Sequence, residues 1–153
     1  MKVKIEIDSG LEETEVIIRC GRLDDSIVNL QNLITEQGNG SRCIALSKEE
    51  TVYYVPIDEI YFFETEGKEI HAHTADKMFA AAYKLYELEE LLPAGFMRIS
   101  KSTIVNLDYI YSITRNLTAS SIVEFAGSHK KALVSRSYYK ALVDRLSARR
   151  LRS

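Results

Sequence analysis

Residues 42–82, RCIALSKEETVYYVPIDEIYFFETEGKEIHAHTADKMFAAA, decide the fold class. RCIALS, ETVYYV, EIYFFET, KEIHAHT and KMFAAA are short, rich in β-branched and aromatic side chains, and alternate in polarity with a period of two. That period puts successive side chains on opposite faces of a pleated strand, so half-buried strands are expected. The links SKEE, PIDE and EGK are polar or carry glycine, as turns require. KMFAAA is ambiguous, because its alanines favour a helix while its position after a strand favours continuation.

Toward the N-terminus the segment GNGS, residues 38–41, marks a boundary, since Gly38, Asn39 and Gly40 tolerate backbone conformations that other residues resist. Before it, LDDSIVNLQNLITEQ spaces Ile27, Leu30, Leu33 and Ile34 three or four residues apart, with Asp24 and Asp25 at the favourable end of a helix. Val3, Ile5 and Ile7 alternate with charged residues as a strand, and Val16, Ile17 and Ile18 begin another after the acidic SGLEETEV. A small α/β extension of residues 1–41 is the expectation.

Toward the C-terminus, KLYELEELL presents Leu85, Leu88, Leu91 and Leu92 as a helical stripe that Pro93 and Gly95 end. FMRIS, STIVN, DYIYSITR, SSIVEFAG and KKALVS read as strands, with hairpin links at NLTAS and AGSHK. In the terminal SYYKALVDRLSARRLR, Tyr139, Leu142, Val143 and Leu146 recur at helical spacing, and Ser135 or Ser137 is suited to cap the helix.

The chain has 153 residues, 46% of them hydrophobic and 27% charged, which suits one compact domain's worth of core. The opening MKVKIEIDSG lacks the apolar run of a secretory signal, and no stretch approaches the roughly 20 apolar residues of a membrane-spanning helix. Cys20 and Cys43 are therefore expected as reduced, buried small side chains of a cytoplasmic protein. The net charge of -2 argues against general attraction to polyanions. It is, however, the sum of opposed halves. Residues 1–94 carry nine Lys and Arg against 19 Asp and Glu, a net of -10, and residues 95–153 carry 11 against three, a net of +8. Such asymmetry supplies an electrostatic footprint for phosphates, or else pairs internally.

Within the basic half, Asn106 and Arg136 have the chemistry to read adenine and guanine edges, each worth about 1–3 kcal/mol of discrimination. Lys101, Ser102, Lys130 and Lys131 suit phosphates, which set position without base identity. The ordinary readings stand beside these: Asn106 capping a turn, and Arg136 paired with Glu124 or Asp144. For enzymatic chemistry, His71 and His73 share a strand face near Glu64, Glu66 and Glu69, and a metal site or general base is imaginable there. Neither cysteine has ligand spacing to these histidines, and ordinary strand histidines outweigh a site. The seven glycines are scattered, without a phosphate loop. A protein without catalysis, cofactor or metal is the expectation.

Three ordered motifs, FFETEGKEIHAHT, LEELLPAGFMRISKSTIVNLDYI and ALVSRSYYKAL, resemble the LytTR DNA-binding domain of bacterial transcription regulators over about residues 42–147. The resemblance implies an elongated, mostly β fold of about ten short strands with short helices, whose loops enter two successive major grooves from one side of the duplex. It implies base contacts at Asn106 and Arg136, with Lys68 in the TEGKE loop as the third. Lys101 and Ser102 match positions that approach the DNA backbone, and Arg98, Lys130, Lys131 and Ser135 complete the expected phosphate-facing set. Two departures stand out. Some relatives place an imidazole in or near the first loop, whereas His71 and His73 lie inside a strand here. Lys101 stands where the family often has arginine, keeping the charge but losing the planar fork.

The expected organisation is a strand–helix extension at 1–41 serving dimerisation or partner binding, a DNA-binding domain at 42–147, and a basic tail at 148–153. The expected function is sequence-specific binding of double-stranded DNA at repeated promoter half-sites, as a dimer or as cooperating monomers, to regulate transcription. A restraining membrane protein is a candidate partner by the same resemblance. The alternative is a non-enzymatic protein-interaction or ligand-sensing module on this fold, for which the acidic first 40 residues speak.

Overall fold

The computed structural model describes residues 1–38 and 42–150. The chain divides into two compact units, residues 1–39 and 40–153. In the first, α1 (Asp25–Gly38) is the regular element among the described residues. Asp24 Oδ1 accepts from the Ile27 N–H at 3.1 Å and from Ser26 Oγ at 2.6 Å, which satisfies donors that a helix start leaves open. These bonds hold the Asp24 carboxyl below its ordinary pKa, Ser26 contributing most. Ile27, Leu30 and Ile34 are half-buried along one stripe, as their spacing predicts, whereas Leu33, expected on the same stripe, is exposed.

The expected strands at Val3–Ile7 and Val16–Ile18 do not form, so the extension is helical rather than α/β. A strand needs a neighbour for its backbone N–H and C=O groups. None pairs with these segments among the described residues, and Val3, Ile5 and Ile7 are exposed.

The second unit is antiparallel throughout. β1 (Cys43–Lys48), β2 (Thr51–Pro56), β3 (Phe62–Glu66), β4 (Glu69–His73), β5 (Met78–Ala81), β6 (Phe96–Ser100) and β7 (Thr103–Asn106) make one sheet in the order β2-β1-β5-β4-β3-β7-β6. β8 (Ile110–Thr114), β9 (Ser121–Phe125) and β10 (Lys131–Val134) make a second, ordered β10-β9-β8. α2 (Leu85–Leu91) lies between β5 and β6, and α3 (Arg136–Arg150) closes the described chain. This is a mostly β fold of ten short strands. KMFAAA resolves as strand β5, whose ladder with β4 pairs His71 with Ala80 and overrides alanine's helical preference.

The adjacent phenylalanines of β3 organise the core. Alternation sends Phe63 to one face, where it meets Ile44, Leu46, Phe79, Leu85, Leu88 and Ile104. Phe62 goes to the other, among Val105, Val123, Phe125, Val134 and Leu142. β3 is thus covered on both sides, by α2 on one and by the small sheet with α3 on the other.

Two further expectations need correction or qualification. Cys20 and Cys43 are free thiols, but both are exposed rather than buried. Cys43 occupies an outward position of a strand whose inward neighbours are Ile44 and Leu46. α3 runs through residue 147 to Arg150 without a break at the expected tail boundary, and residues 151–153 lie outside the described set. No helix among the described residues is long and apolar enough to cross a membrane.

Candidate nucleic-acid interface

Three loops meet at one edge of the second unit, and backbone hydrogen bonds join them. The β6–β7 turn is central. Its Ser102 carbonyl accepts from the Thr65 N–H of β3 at 2.8 Å, and the Ile99 carbonyl beside it accepts from the Ser135 N–H before α3 at 3.0 Å. On one flank, β3 and β4 close through Gly67 and Lys68, paired Glu66 to Glu69. Gly67 has φ 63°, a left-handed conformation that a residue with a Cβ resists and that tight hairpins require. On the other flank Ser135 leads into α3, whose first residue is Arg136.

The β6–β7 turn is braced from within. Arg98 Nε donates to the Ser100 carbonyl at 3.0 Å, and its guanidinium also pairs with Glu89 and donates to the Lys101 carbonyl. The Ser102 N–H donates to Ser100 Oγ at 3.1 Å. Lys101 is left exposed at the tip. Ser100, Lys101, Ser102, Ser135, Ser137 and Tyr138 line a depression of about 590 Å³. Hydroxyls, an exposed ammonium and the open N–H groups at the start of a helix are together suited to phosphate oxygens. Arg136 and Lys68 are both exposed, so their charges stay in solvent.

The remaining expected contacts lie elsewhere or are committed. Asn106 is only 3% exposed. Its Nδ2 donates to the Ile60 carbonyl at 3.0 Å, and its Oδ1 accepts from the Asp108 N–H at 3.1 Å. Both ends of the amide thus have partners inside the protein, where they cap the turn after β7. The ordinary reading of this residue describes what is seen. Arg98 is half-buried and serves the turn rather than facing outward. Lys131 is exposed with Nζ 3.6 Å from Glu124. It begins β10, roughly 13 Å of strand from Ser135 at about 3.3 Å per residue.

Lys130 is half-buried, with Nζ 3.2 Å from His73 Nδ1 and a hydrogen bond to the Lys77 carbonyl. Burial pushes its pKa down, opposed by Asp76. Burial also pushes His73 down to about 4, with Lys130 adding to the effect. The turn bearing Lys68 is bordered by acid: His71 lies 3.0 Å from Glu66 Oε2 and 3.0 Å from Glu69 Oε2. The Glu69 bond does most to raise the His71 pKa, against the opposing effect of burial. Burial likewise raises the Glu64 carboxyl. Ser137 and Tyr138, which line the depression, were not among the expected contacts. Their signal was the alternation of hydroxyl groups in SRSYY at a helix start.

The LytTr DNA-binding domain family matches residues 50–147. The chain belongs to the LytTR DNA-binding domain family. LytTR domains are non-catalytic DNA-binding modules. A LytTr DNA-binding domain from Bacillus cereus shares the fold, with a TM-score of 0.61 and 24% identity over 68% of this chain and 98% of that one. Uncharacterized HTH-type transcriptional regulators of Staphylococcus aureus, in strain NCTC 8325 / PS 47 and strain COL, are each 26% identical over 147 residues, covering 96% of this chain and 99% of theirs. The helix-turn-helix of that designation has no counterpart among the described residues of this LytTR protein, where β6 to β10 separate α2 from α3.

Proposed function

We propose that this protein is a sequence-specific double-stranded DNA-binding transcription regulator that reads repeated promoter half-sites through major-groove contacts. One observation carries the reading: the pair of backbone hydrogen bonds, Thr65 to Ser102 and Ser135 to Ile99, that hold the loops of Lys68, Lys101 and Arg136 side by side. In this reading Arg136 reads a base edge, and Lys68 sits over the groove within reach of base or phosphate. Lys101, Ser102 and Ser135 grip phosphate, joined by Ser137. Lys130 and Lys131 form a separate, secondary phosphate contact. Arg98 and Asn106 act one step back, by holding the β6–β7 turn and the end of β7 in shape.

The designation of the staphylococcal relatives as transcriptional regulators supports the same reading over nearly the whole chain. Promoters place such a protein in the cytoplasm. Two copies bind repeated half-sites, and residues 1–41 serve as the dimerisation or partner-binding element, a restraining membrane protein being one candidate partner. The exposed Val28 and Leu33 of α1 supply apolar surface for that role.

Selection from random duplex DNA with purified protein tests this. A repeated motif is expected, and Arg136→Ala should relax preference at one position of each half-site by about 1–3 kcal/mol. Absence of any enriched motif with folded protein would defeat the proposal, and equal weakening on all sequences would reduce Arg136 to a backbone contact.

A further inference from the structure

The β3–β4 hairpin carries a second polar cluster, to which the proposed DNA contacts give no role. Register pairs Glu64 with His71 and Phe62 with His73, so Glu64, Glu66, His71 and His73 share one face of two adjacent strands. A ring nitrogen of His73 and one carboxylate oxygen each from Glu64 and Glu66 lie within 4.8 Å of one another. His73 is 8% exposed, and its ring stacks on Phe62 with centroids 4.2 Å apart and planes 8° from parallel, which fixes its direction. Nδ1 faces Lys130 Nζ. Nε2 is fully buried and has no hydrogen-bond partner. A buried nitrogen without a partner is costly, and a native structure rarely keeps one without a use.

We propose that this hairpin binds a divalent transition-metal ion of the zinc type through His73 Nε2 and the carboxylates of Glu64 and Glu66. One imidazole and two carboxylates suit Zn²⁺, whereas Mg²⁺ and Ca²⁺ take oxygen ligands. Three protein ligands leave a fourth position to water. With metal–ligand bonds of about 2.0–2.2 Å, tetrahedral ligands stand about 3.4 Å apart, so atoms now within 4.8 Å of one another close in by at most about 1.4 Å. Glu66 has the freedom for this, since half of its side chain is in solvent. His71 is a positioning residue: its Nδ1, 3.0 Å from Glu66 Oε2, aims that carboxylate. As the ion takes Nε2, the Nε2 proton passes to solvent and Nδ1 takes one proton from the Lys130 ammonium 3.2 Å away. The ring thus stays a neutral imidazole, and Lys130 becomes an amine that accepts from Nδ1–H. Because both strands supply ligands, the ion fastens the hairpin that ends in Lys68 and offsets the acid beside it.

Calorimetric titration of the full chain with Zn²⁺ tests this, in a Cys20→Ser, Cys43→Ser background because both thiols are exposed and a thiolate is itself a zinc ligand. One ion per chain is expected. Glu64→Gln and Glu66→Gln should each weaken binding by at least about 10-fold, and His71→Gln by about 10- to 100-fold, with circular dichroism unchanged. Zinc should also shift the ring-nitrogen NMR resonances of His73. Failure to bind one Zn²⁺ per chain, wild-type affinity in both glutamate variants, unmoved His73 resonances or equal affinity for Mg²⁺ would each overturn the proposal. None of these readouts involves DNA, so the outcome is independent of the regulatory reading.

Discussion

Asn106 fastens the end of β7 to the segment before β3 and starts the turn that leads to β8. Replacing it with alanine leaves the buried Ile60 carbonyl and the part-buried Asp108 N–H without these partners. Asn106→Ala is therefore expected to lower stability by about 1–3 kcal/mol in urea denaturation, while the bases preferred by the folded protein stay the same. Its IVN context was visible in the sequence, and so was the alternative of a turn cap. Which way the amide points was not legible, because that depends on Ile60, which lies 46 positions away in the chain. The exposure of Arg136 was easier to read, since a residue two positions past the end of a strand and at the start of a helix has few ways to be buried. The surroundings of Arg98 were not legible for the opposite reason: its partners Glu89 and the Lys101 carbonyl become neighbours only when α2 packs beside β6.

Among the elements, α3 joins the core to the interface. Leu142 is fully buried between the small sheet and β6, while Arg136 emerges from the same helix about 1.7 turns earlier, at about 3.6 residues per turn. Arg149 pairs with Asp108, and Arg145 donates to the Ala94 carbonyl, so the far half of the helix is tied down as well. Leu142→Ala should cost about 2–5 kcal/mol in urea denaturation and weaken DNA binding, because the helix that presents Arg136 loses its anchor. The strands and helices of the second unit were legible because their periods of two and of three to four reflect burial that this unit supplies. Residues 1–24 carry similar alternation without a described neighbour to pair with, and periodicity alone does not reveal whether a partner exists.

For the whole molecule, the +8 of residues 95–153 is only partly free charge. Arg98 and Arg149 are spent on Glu89 and Asp108, and Lys131 is partly offset by Glu124. What remains open at the three-loop edge is a small set: Lys68, Lys101 and Arg136. A modest salt dependence follows, and Lys101→Ala is expected to lower the slope of log affinity against log salt by up to about one unit while weakening all sequences alike. Filter binding at several salt concentrations reads this directly, and an unchanged slope would remove Lys101 from the phosphate surface.

The two bonds that join the loops run between main-chain atoms, N–H of Thr65 and Ser135 to C=O of Ser102 and Ile99. Main-chain donors and acceptors survive almost any substitution except proline at the donating positions. The side chains at 68, 101 and 136 are therefore free to change without moving the frame that carries them. Under the proposed function, a duplicated copy would be able to change its DNA preference by a few point mutations at these positions while the frame is kept.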